Sequence, residues 1–216
     1  MGKASRTALT CLAVALAILG AVYVRVLVMA RNHAGKAEAA LAAGRTGDAV
    51  FHFGRAARAY APLNPWNEQA MGRLWQIGRK AEIEGEGDTA LHAYREIRSS
   101  ILAARSLYTP HPDRLEQVNE RIARLMARQP PPPADEGKTE AERTLEHLAL
   151  LADTPQPDPT WSALLILGFA SWISACAAFI LVGLDRDLRV RRRPALACAA
   201  VFVAGLGLWL AGMLLA

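Results

Sequence analysis

The chain has 216 residues, 52% of them hydrophobic, and a formal net charge of +5. This length allows one domain together with membrane segments. The positive excess lies outside the central region, because residues 31–160 carry 17 Lys/Arg against 18 Asp/Glu. A nucleic-acid-binding protein needs a basic face on its folded domain, so this distribution excludes that class of partner.

The three cysteines, Cys11, Cys176 and Cys198, each lie inside an apolar run. A disulfide framework in the polar region is therefore excluded. We interpret all three as small apolar side chains.

The first apolar run follows two basic residues, Lys3 and Arg6, and extends from Ala8 to Val24. It exceeds the apolar core of a secretory signal, about 7–15 residues, and no small-x-small cleavage site follows it. We therefore predict an uncleaved transmembrane anchor over residues 1–30, the alternative being a removed signal peptide. Arg25 is expected to extend its guanidinium to the far membrane interface.

Residues 31–129 read as a series of amphipathic helices separated by Gly and Pro. The predicted helices are Ala34–Ala43, Ala49–Tyr60, Trp66–Glu84, Thr89–Tyr108 and Arg114–Gln129. The predicted N-cap residues are Asp48, Asn64, Asp88 and Asp113. Apolar spacing predicts buried stripes on three of these helices: Ala70, Leu74, Ile77 and Ala81; Leu91, Tyr94, Ile97 and Ile101; and Leu115, Val118, Ile122, Leu125 and Met126.

An internal repeat lies within this region. Gly47–Arg58 and Gly87–Arg98 are 40 residues apart and match at Gly-Asp, one histidine and two arginines. A helix, a glycine corner and a second helix, repeated, are typical of an α-solenoid.

The second copy resembles tetratricopeptide repeats at five positions: Leu74, Ile77, Gly78, Ala90 and Tyr94. The first copy fits that pattern loosely, at Ala49, Phe53 and Ala56, and the period exceeds the usual 34 residues. The resemblance implies an all-α, TPR-like solenoid whose concave face binds protein. The residues predicted to bind a partner are Phe53, Arg55, Arg58, Tyr94, Arg95 and Arg98.

Residues 130–160 read as a linker. Four prolines, Pro130–Pro133, predict a stiff extended spacer. A short helix is expected over Glu140–Leu151, and a second stiff connector, Thr154–Thr160, leads into the last region.

Residues 161–216 read as a transmembrane hairpin. Two uncharged runs, Trp161–Leu184 and Ala195–Ala216, are each long enough to cross a bilayer. The connection between them carries five arginines that predict a cytoplasmic loop: Arg186, Arg189, Arg191, Arg192 and Arg193. Lys3 and Arg6 place the N-terminus on the same side. Three crossings then put the helical domain and the C-terminus outside, in the periplasm of a bacterial inner-membrane protein.

Small residues recur at intervals of four along the hairpin. Such spacing lets helix backbones approach closely. The residues predicted to pack are Ala170, Ser174, Ala178, Gly207 and Ala211. Packing within the hairpin is the preferred interpretation, and contact with a second copy or a partner subunit is the alternative.

The sequence contains no catalytic motif that we recognise. No phosphate loop, nucleophile elbow or zinc-binding histidine pair is present. His52 and His92 occupy equivalent repeat positions, but two histidines are an incomplete ligand set. We therefore predict neither an enzyme, a cofactor nor a metal site.

The order of repeat domain, Pro-rich spacer and arginine-linked hairpin resembles membrane TPR proteins of the aerotolerance (Bat) type. The resemblance implies an inner-membrane scaffold that binds one or more envelope proteins. The C-terminal domain that some of those proteins carry is missing. The alternative is an accessory subunit of a membrane transport or motility complex, with its main contacts in the bilayer.

Overall fold

The computed structural model describes residues 3–105, 108–131, 137–153, 158–184 and 189–215, with the side chains of all but residues 3–12 and 15. Within these ranges the chain is helical and forms no β-strand beyond one isolated bridge between Leu184 and Val190. The all-α prediction is thus confirmed. The helices are α1 (Lys3–Ala42), α2 (Thr46–Arg58), α3 (Pro65–Glu84), α4 (Gly87–Ala103), α5 (Pro112–Arg128), α6 (Glu140–Ala152), α7 (Pro159–Ala178) and α8 (Arg192–Leu215), with a π-helical turn, Phe179–Gly183, after α7.

Three helical segments are long and apolar enough to cross a membrane. They are Leu16–Ala42 in α1, Pro159–Gly183 in α7 with its π turn, and α8. The three predicted spans are therefore present as helices. Lys3 and Arg6 lie among the residues of which only the backbone is described.

The chain divides into two compact units, one of residues 1–18, 106–108 and 156–216, the other of residues 19–105 and 109–155. In the second unit α1 is continuous to Ala42, so the helix predicted at Ala34–Ala43 is its last part and not a separate element. This part packs one alanine face into the core of the domain: Ala34, Ala37 and Ala40.

The helices of this second unit pack on near neighbours in sequence. Helix α2 packs against α3 and α4, α3 against α4, α4 against α5, and α5 against α6. The largest fully buried side chains are Tyr94, Phe53, Met71, Leu74, Ile97, Ile101, Ile122, Val50 and Val118. The predicted stripes on α3 and α4 are confirmed. On α5 Val118, Ile122 and Leu125 are buried, whereas Leu115 and Met126 pack at the margin of the core.

One predicted N-cap is confirmed. The Asn64 carboxamide accepts a hydrogen bond from the Trp66 backbone N–H at 3.1 Å, and Pro65 is the first residue of α3. Asn64 and Asn67 also donate to the carbonyls of Ala59 and Ala57, at the end of α2. These two buried amides therefore join two helix ends and satisfy carbonyls that α2 leaves open.

The other three predicted N-caps are wrong, because each helix begins before its aspartate. Arg45, Glu86 and His111 occupy the N-cap positions, and none of them makes a side-chain cap hydrogen bond. The aspartates lie in the first turns, where a negative charge favours the helix dipole. Helix α4 also ends earlier than predicted, at Ala103.

The linker helix is confirmed, as α6, and begins with a capping box. The Thr139 hydroxyl accepts from the Glu142 N–H, and the Glu142 carboxylate accepts from the Thr139 N–H at 2.8 Å. Parts of the two predicted stiff segments, residues 132–133 and 154–157, lie outside the described residues.

Helices α7 and α8 pack against each other as the hairpin of the first unit. The predicted packing face is wrong, since Ala170, Ser174 and Gly207 are exposed and Ala178 and Ala211 are only half-buried. The close approach uses Gly168 and Ala175 on α7, with Gly205 and Gly212 on α8, all four of which are buried. A Cβ on Gly168 would lie 2.5 Å from the Trp209 backbone nitrogen, so this crossing requires glycine.

Candidate functional site

Two of the six residues predicted to bind a partner lie in the core. Phe53 and Tyr94 are both 0% exposed. Direct contact with a partner is therefore excluded for these two side chains in this fold. The repeat pattern identified positions that are important for packing, and we had interpreted them as binding positions.

Tyr94 holds α3 and α4 together. Its ring packs edge-on against the Trp75 ring, with 5.4 Å between the two ring centroids. Its hydroxyl donates a hydrogen bond to the Glu82 carboxylate at 3.1 Å. Burial raises the pKa of the Tyr94 phenol, and the negative charge of Glu82 raises it further. The phenol thus remains a hydrogen-bond donor throughout the neutral range.

Arg58 joins α2 to α4. Its guanidinium donates to the Glu96 carboxylate at 2.7 Å and to the Ser99 hydroxyl at 3.3 Å. The Glu96 side chain lies over Gly54, and a Cβ at that position would collide with its carboxylate. Arg58 is thereby a structural residue with a half-buried guanidinium.

Arg98 occupies the equivalent repeat position, on α4, and also joins its helix to later ones. Its guanidinium donates to the Asn119 carboxamide at 2.9 Å and to the Leu151 carbonyl at 3.1 Å, which joins α4 to α5 and α6. Burial lowers the pKa of Arg98 below its ordinary value, and the charge of Arg105 adds to that effect. The last arginine of each repeat copy therefore donates hydrogen bonds to a later helix.

Arg55 and Arg95 are the remaining two of the six residues, and both are exposed. Neither forms an ion pair or hydrogen bond with another residue in the part of the chain that the structure describes. Their positions also correspond in the two repeat copies. An exposed guanidinium without a partner offers planar, bidentate hydrogen bonding to a carboxylate.

A groove of about 660 Å³ lies beside Arg95, between α4, α5 and the end of α6. We call it the α4–α5 groove; its lining residues are Arg95, Arg98, Ser99, Leu102, Ala103, Ile122, Met126 and Leu151. Its floor is apolar and its charged groups are the two guanidiniums. The sequence identified Arg95 and Arg98 but missed Leu102, Met126 and Leu151, because the groove appears only when α6 packs on α5.

The repeat histidines do not form a shared site. His52 pairs with His33 of α1, with 3.2 Å between their Nδ1 atoms. The Nε2 atom of His92 instead lies 4.0 Å from Oε1 of Glu96. Among the described residues no three His, Cys, Asp or Glu side chains are grouped as metal ligands would be. Two nitrogens alone make an incomplete ligand set.

The acidic residues at the end of α3 and the start of α4 are partly used within the domain. Glu82 accepts hydrogen bonds from Tyr94 and Arg121, and Asp88 accepts one from Gln129 at 3.2 Å. Glu84 forms a loose ion pair with Lys80 at 3.6 Å. These contacts favour a structural corner over a cation site.

The arginines predicted to determine topology lie at one end of the hairpin. Arg189, Arg191, Arg192 and Arg193 are exposed, and Arg186 lies outside the described residues. The Arg191 backbone N–H donates to the Gly183 carbonyl at 2.8 Å. The backbone of this loop is thus attached to the end of the π turn.

In comparisons with protein families, curated proteins and solved structures, no family model, sequence or fold matches this chain significantly.

Proposed function

We propose that this chain is a membrane-anchored scaffold whose helical domain binds another envelope protein through the α4–α5 groove. One observation carries the proposal: Arg95 is exposed, has no described partner and adjoins a groove with an apolar floor. Exposed arginine beside apolar pockets is characteristic of residues that dominate protein–protein binding energy. The partner segment presents a carboxylate to Arg95 and an apolar side chain to Leu102 and Met126.

A TPR-like solenoid is the architecture that we propose for the domain. Two observations support it. Each helix packs on its next or second-next neighbour, and Arg58 and Arg98, at equivalent repeat positions, each bridge to a later helix. Stacked layers of this kind create the extended surfaces that repeat proteins use for binding. The weak resemblance to Bat-type membrane proteins is part of the same proposal.

We further propose that the domain and the C-terminus are periplasmic and that the N-terminus is cytoplasmic, in a bacterial inner membrane. The arginines at the hairpin end and the basic residues at the N-terminus support this orientation, since short loops rich in Lys and Arg stay in the cytoplasm. A cysteine-accessibility or reporter fusion near residue 120 tests it.

Photo-crosslinking in cells tests the binding surface. A photoreactive residue at Leu102, in the groove, is expected to trap one defined partner. The same residue at Lys80, which is exposed on α3, serves as the control and should trap none. If both positions trap the same mixture, the groove is not the binding surface.

A second candidate function, a subunit of a transport or motility complex, is favoured by the exposed small residues of the hairpin. Ala170, Ser174 and Gly207 lie outside the α7–α8 contact and are free to meet another helix. Exchanging residues 161–216 for an unrelated hairpin separates the two functions. A scaffold retains its crosslink at Leu102, whereas a subunit that assembles through the bilayer loses its complex.

A further inference from the structure

We propose that the arginine-bearing end of the hairpin binds one anionic phospholipid, with an acyl chain in a groove between α7 and α8. The inference rests on the hairpin crossing a membrane and not on the partner-binding role of the helical domain.

The groove lies between the end of α7 with its π turn and the first turns of α8, and it has a volume of about 360 Å³. We call it the hairpin groove; its lining residues are Ala175, Cys176, Phe179, Ile180, Ala195, Cys198, Ala199 and Phe202. Every one of these side chains is apolar or a thiol. Cys176, Ile180 and Ala199 are exposed, so the groove opens sideways, toward the lipid in a membrane.

Two arginines immediately precede the groove residues along α8. Arg192 and Arg193 are the first two residues of α8, and the groove residues of that helix begin two positions later. At 1.5 Å per residue, Arg193 and Phe202 are about 14 Å apart along the helix axis. A phosphate at the level of the guanidiniums therefore leaves room for an acyl chain to follow the groove toward Phe202.

The local electrostatics favour an anion. Positive side chains at a helix N-terminus add to the positive end of the helix dipole. No acidic residue lies in the first turn of α8, and no described acidic side chain forms an ion pair with Arg192 or Arg193. The two aspartates of the loop, Asp185 and Asp187, lie outside the described residues and are outnumbered by its five arginines. The hydrogen bond from Arg191 to Gly183 holds this backbone beside the groove. Basic pockets between transmembrane helices on the cytoplasmic side commonly hold anionic lipid headgroups.

Charge and shape together select the occupant. A zwitterionic phospholipid supplies the acyl chain without the net negative charge, and a soluble phosphate supplies the charge without the chain. A helix of a second copy would cover the groove but leave the guanidiniums unneutralised. An anionic glycerophospholipid supplies both the acyl chain for the groove and the negative charge for the guanidiniums.

Native mass spectrometry of the full chain tests the proposal. The chain is reconstituted in vesicles of equal parts phosphatidylglycerol and phosphatidylcholine, extracted and examined for retained lipid. We expect one retained phosphatidylglycerol per chain. Arg192→Gln and Arg193→Gln each remove one charge near the headgroup. Each substitution should therefore lower the preference for phosphatidylglycerol over phosphatidylcholine about fivefold.

Two matched pairs of variants separate the groove from general effects. Ala199→Leu fills the hairpin groove and should abolish the retained lipid, whereas Ala200→Leu, one residue away and exposed, should not. Arg45→Gln with Arg124→Gln removes the same charge from the helical domain and should leave retention unchanged.

Equal retention of both lipids, or displacement of the lipid by soluble glycerol phosphate, would overturn the proposal. A lipid-free dimer that Ala199→Leu dissociates would overturn it as well. So would release of the chain from membranes by alkaline carbonate. The crosslink at Leu102 is measured separately. Loss of lipid retention with an intact crosslink rejects this inference alone.

Discussion

The ring of Tyr94 lies against the backbone of Gly78, so closely that a Cβ on Gly78 would come within 2.8 Å of two ring atoms. This contact sets the separation of α3 and α4, because Tyr94 is fully buried and cannot move aside into solvent. Glycine in the middle of a helix costs about 1 kcal/mol relative to alanine. The close packing of the Tyr94 ring on Gly78 offsets that cost.

The first prediction is that Gly78→Ala destabilises the helical domain by about 1–3 kcal/mol, the usual cost of overpacking a core. Thermal unfolding of the detergent-solubilised chain, followed by circular dichroism, measures the change. Gly72→Ala in the same helix is the control, since nothing lies within 4 Å of its Cβ position. It should raise stability by about 0.5–1 kcal/mol. Equal effects at the two positions would contradict the role given to the Tyr94 contact.

The second prediction separates two arginines three residues apart. Arg98→Ala should cost about 2 kcal/mol of folding free energy, because it removes charged hydrogen bonds to Asn119 and to the Leu151 carbonyl. Arg95→Ala should change stability by less than about 0.5 kcal/mol, since the side chain is exposed.

The partner crosslink at Leu102 should respond in a complementary way. Arg95→Ala should weaken it in a fully folded domain, and Arg95→Lys should restore it only in part, because lysine lacks the bidentate geometry. A folded Arg95→Ala chain with an undiminished crosslink would remove Arg95 from the binding surface.

The sequence predicted the helices of the domain well where the boundary signal was local. Asn64-Pro65 starts α3, and Gly85 ends it with a φ of 78°, a left-handed conformation suited to glycine. Asp48 and Asp88 failed as N-caps because α2 and α4 begin before them. In the first turns, the Asp48 carboxylate binds the Arg45 guanidinium at 3.0 Å, and the Asp88 carboxylate accepts a hydrogen bond from the Gln129 carboxamide. The second of these contacts is 41 residues distant in sequence, so local pattern could not reveal it.

The candidate site was predicted only in part, for a similar reason. The repeat placed Tyr94 and Arg95 together, but neighbours on a helix face different directions, and packing decided which of them is buried. In the hairpin, small residues occur at spacings of both four and seven. The contact uses the spacing of seven, Gly168 with Ala175 and Gly205 with Gly212, which brings residues back to the same face after two turns.

The third prediction concerns that hairpin contact. The Gly205→Leu hairpin should unfold at a lower denaturant concentration than the native hairpin. A Cβ on Gly205 would lie 2.8 Å from the Trp172 backbone nitrogen, and a helix backbone cannot move aside as a flexible side chain can. Gly207→Leu, on the exposed face, should leave hairpin stability unchanged. Titration of the full chain in mixed micelles with sodium dodecyl sulfate, followed by tryptophan fluorescence, compares the two.

The Gly207→Leu variant also reports on the second candidate function. If the exposed face of α8 meets another subunit, the variant should lose its complex in cells while the hairpin stays folded. Retention of the complex would remove this face from consideration as an assembly surface.

The fourth prediction is a pH dependence at the start of α6. Hydrogen bonds from the Thr139 backbone N–H and hydroxyl lower the pKa of Glu142 below its ordinary value of 4.5. A carboxyl whose pKa is lower in the folded state contributes stability above its unfolded pKa and loses it as the pH falls through the folded pKa. Helix α6 should therefore be most protected at neutral pH and should begin to fray only once the pH falls below 4.5, the ordinary value of the glutamate pKa.

Hydrogen exchange of the first-turn amides of α6, measured from neutral to acidic pH, checks this expectation. Glu142→Gln is the informative variant, because its amide oxygen still accepts from Thr139 but does not titrate across this range. It should be less protected than the native chain at neutral pH and should lose the pH dependence. Glu146→Gln removes a carboxylate from the same helix, paired with Lys138, without touching the capping box. If Glu146→Gln flattens the profile and Glu142→Gln does not, the dependence comes from the ion pair and not from the cap.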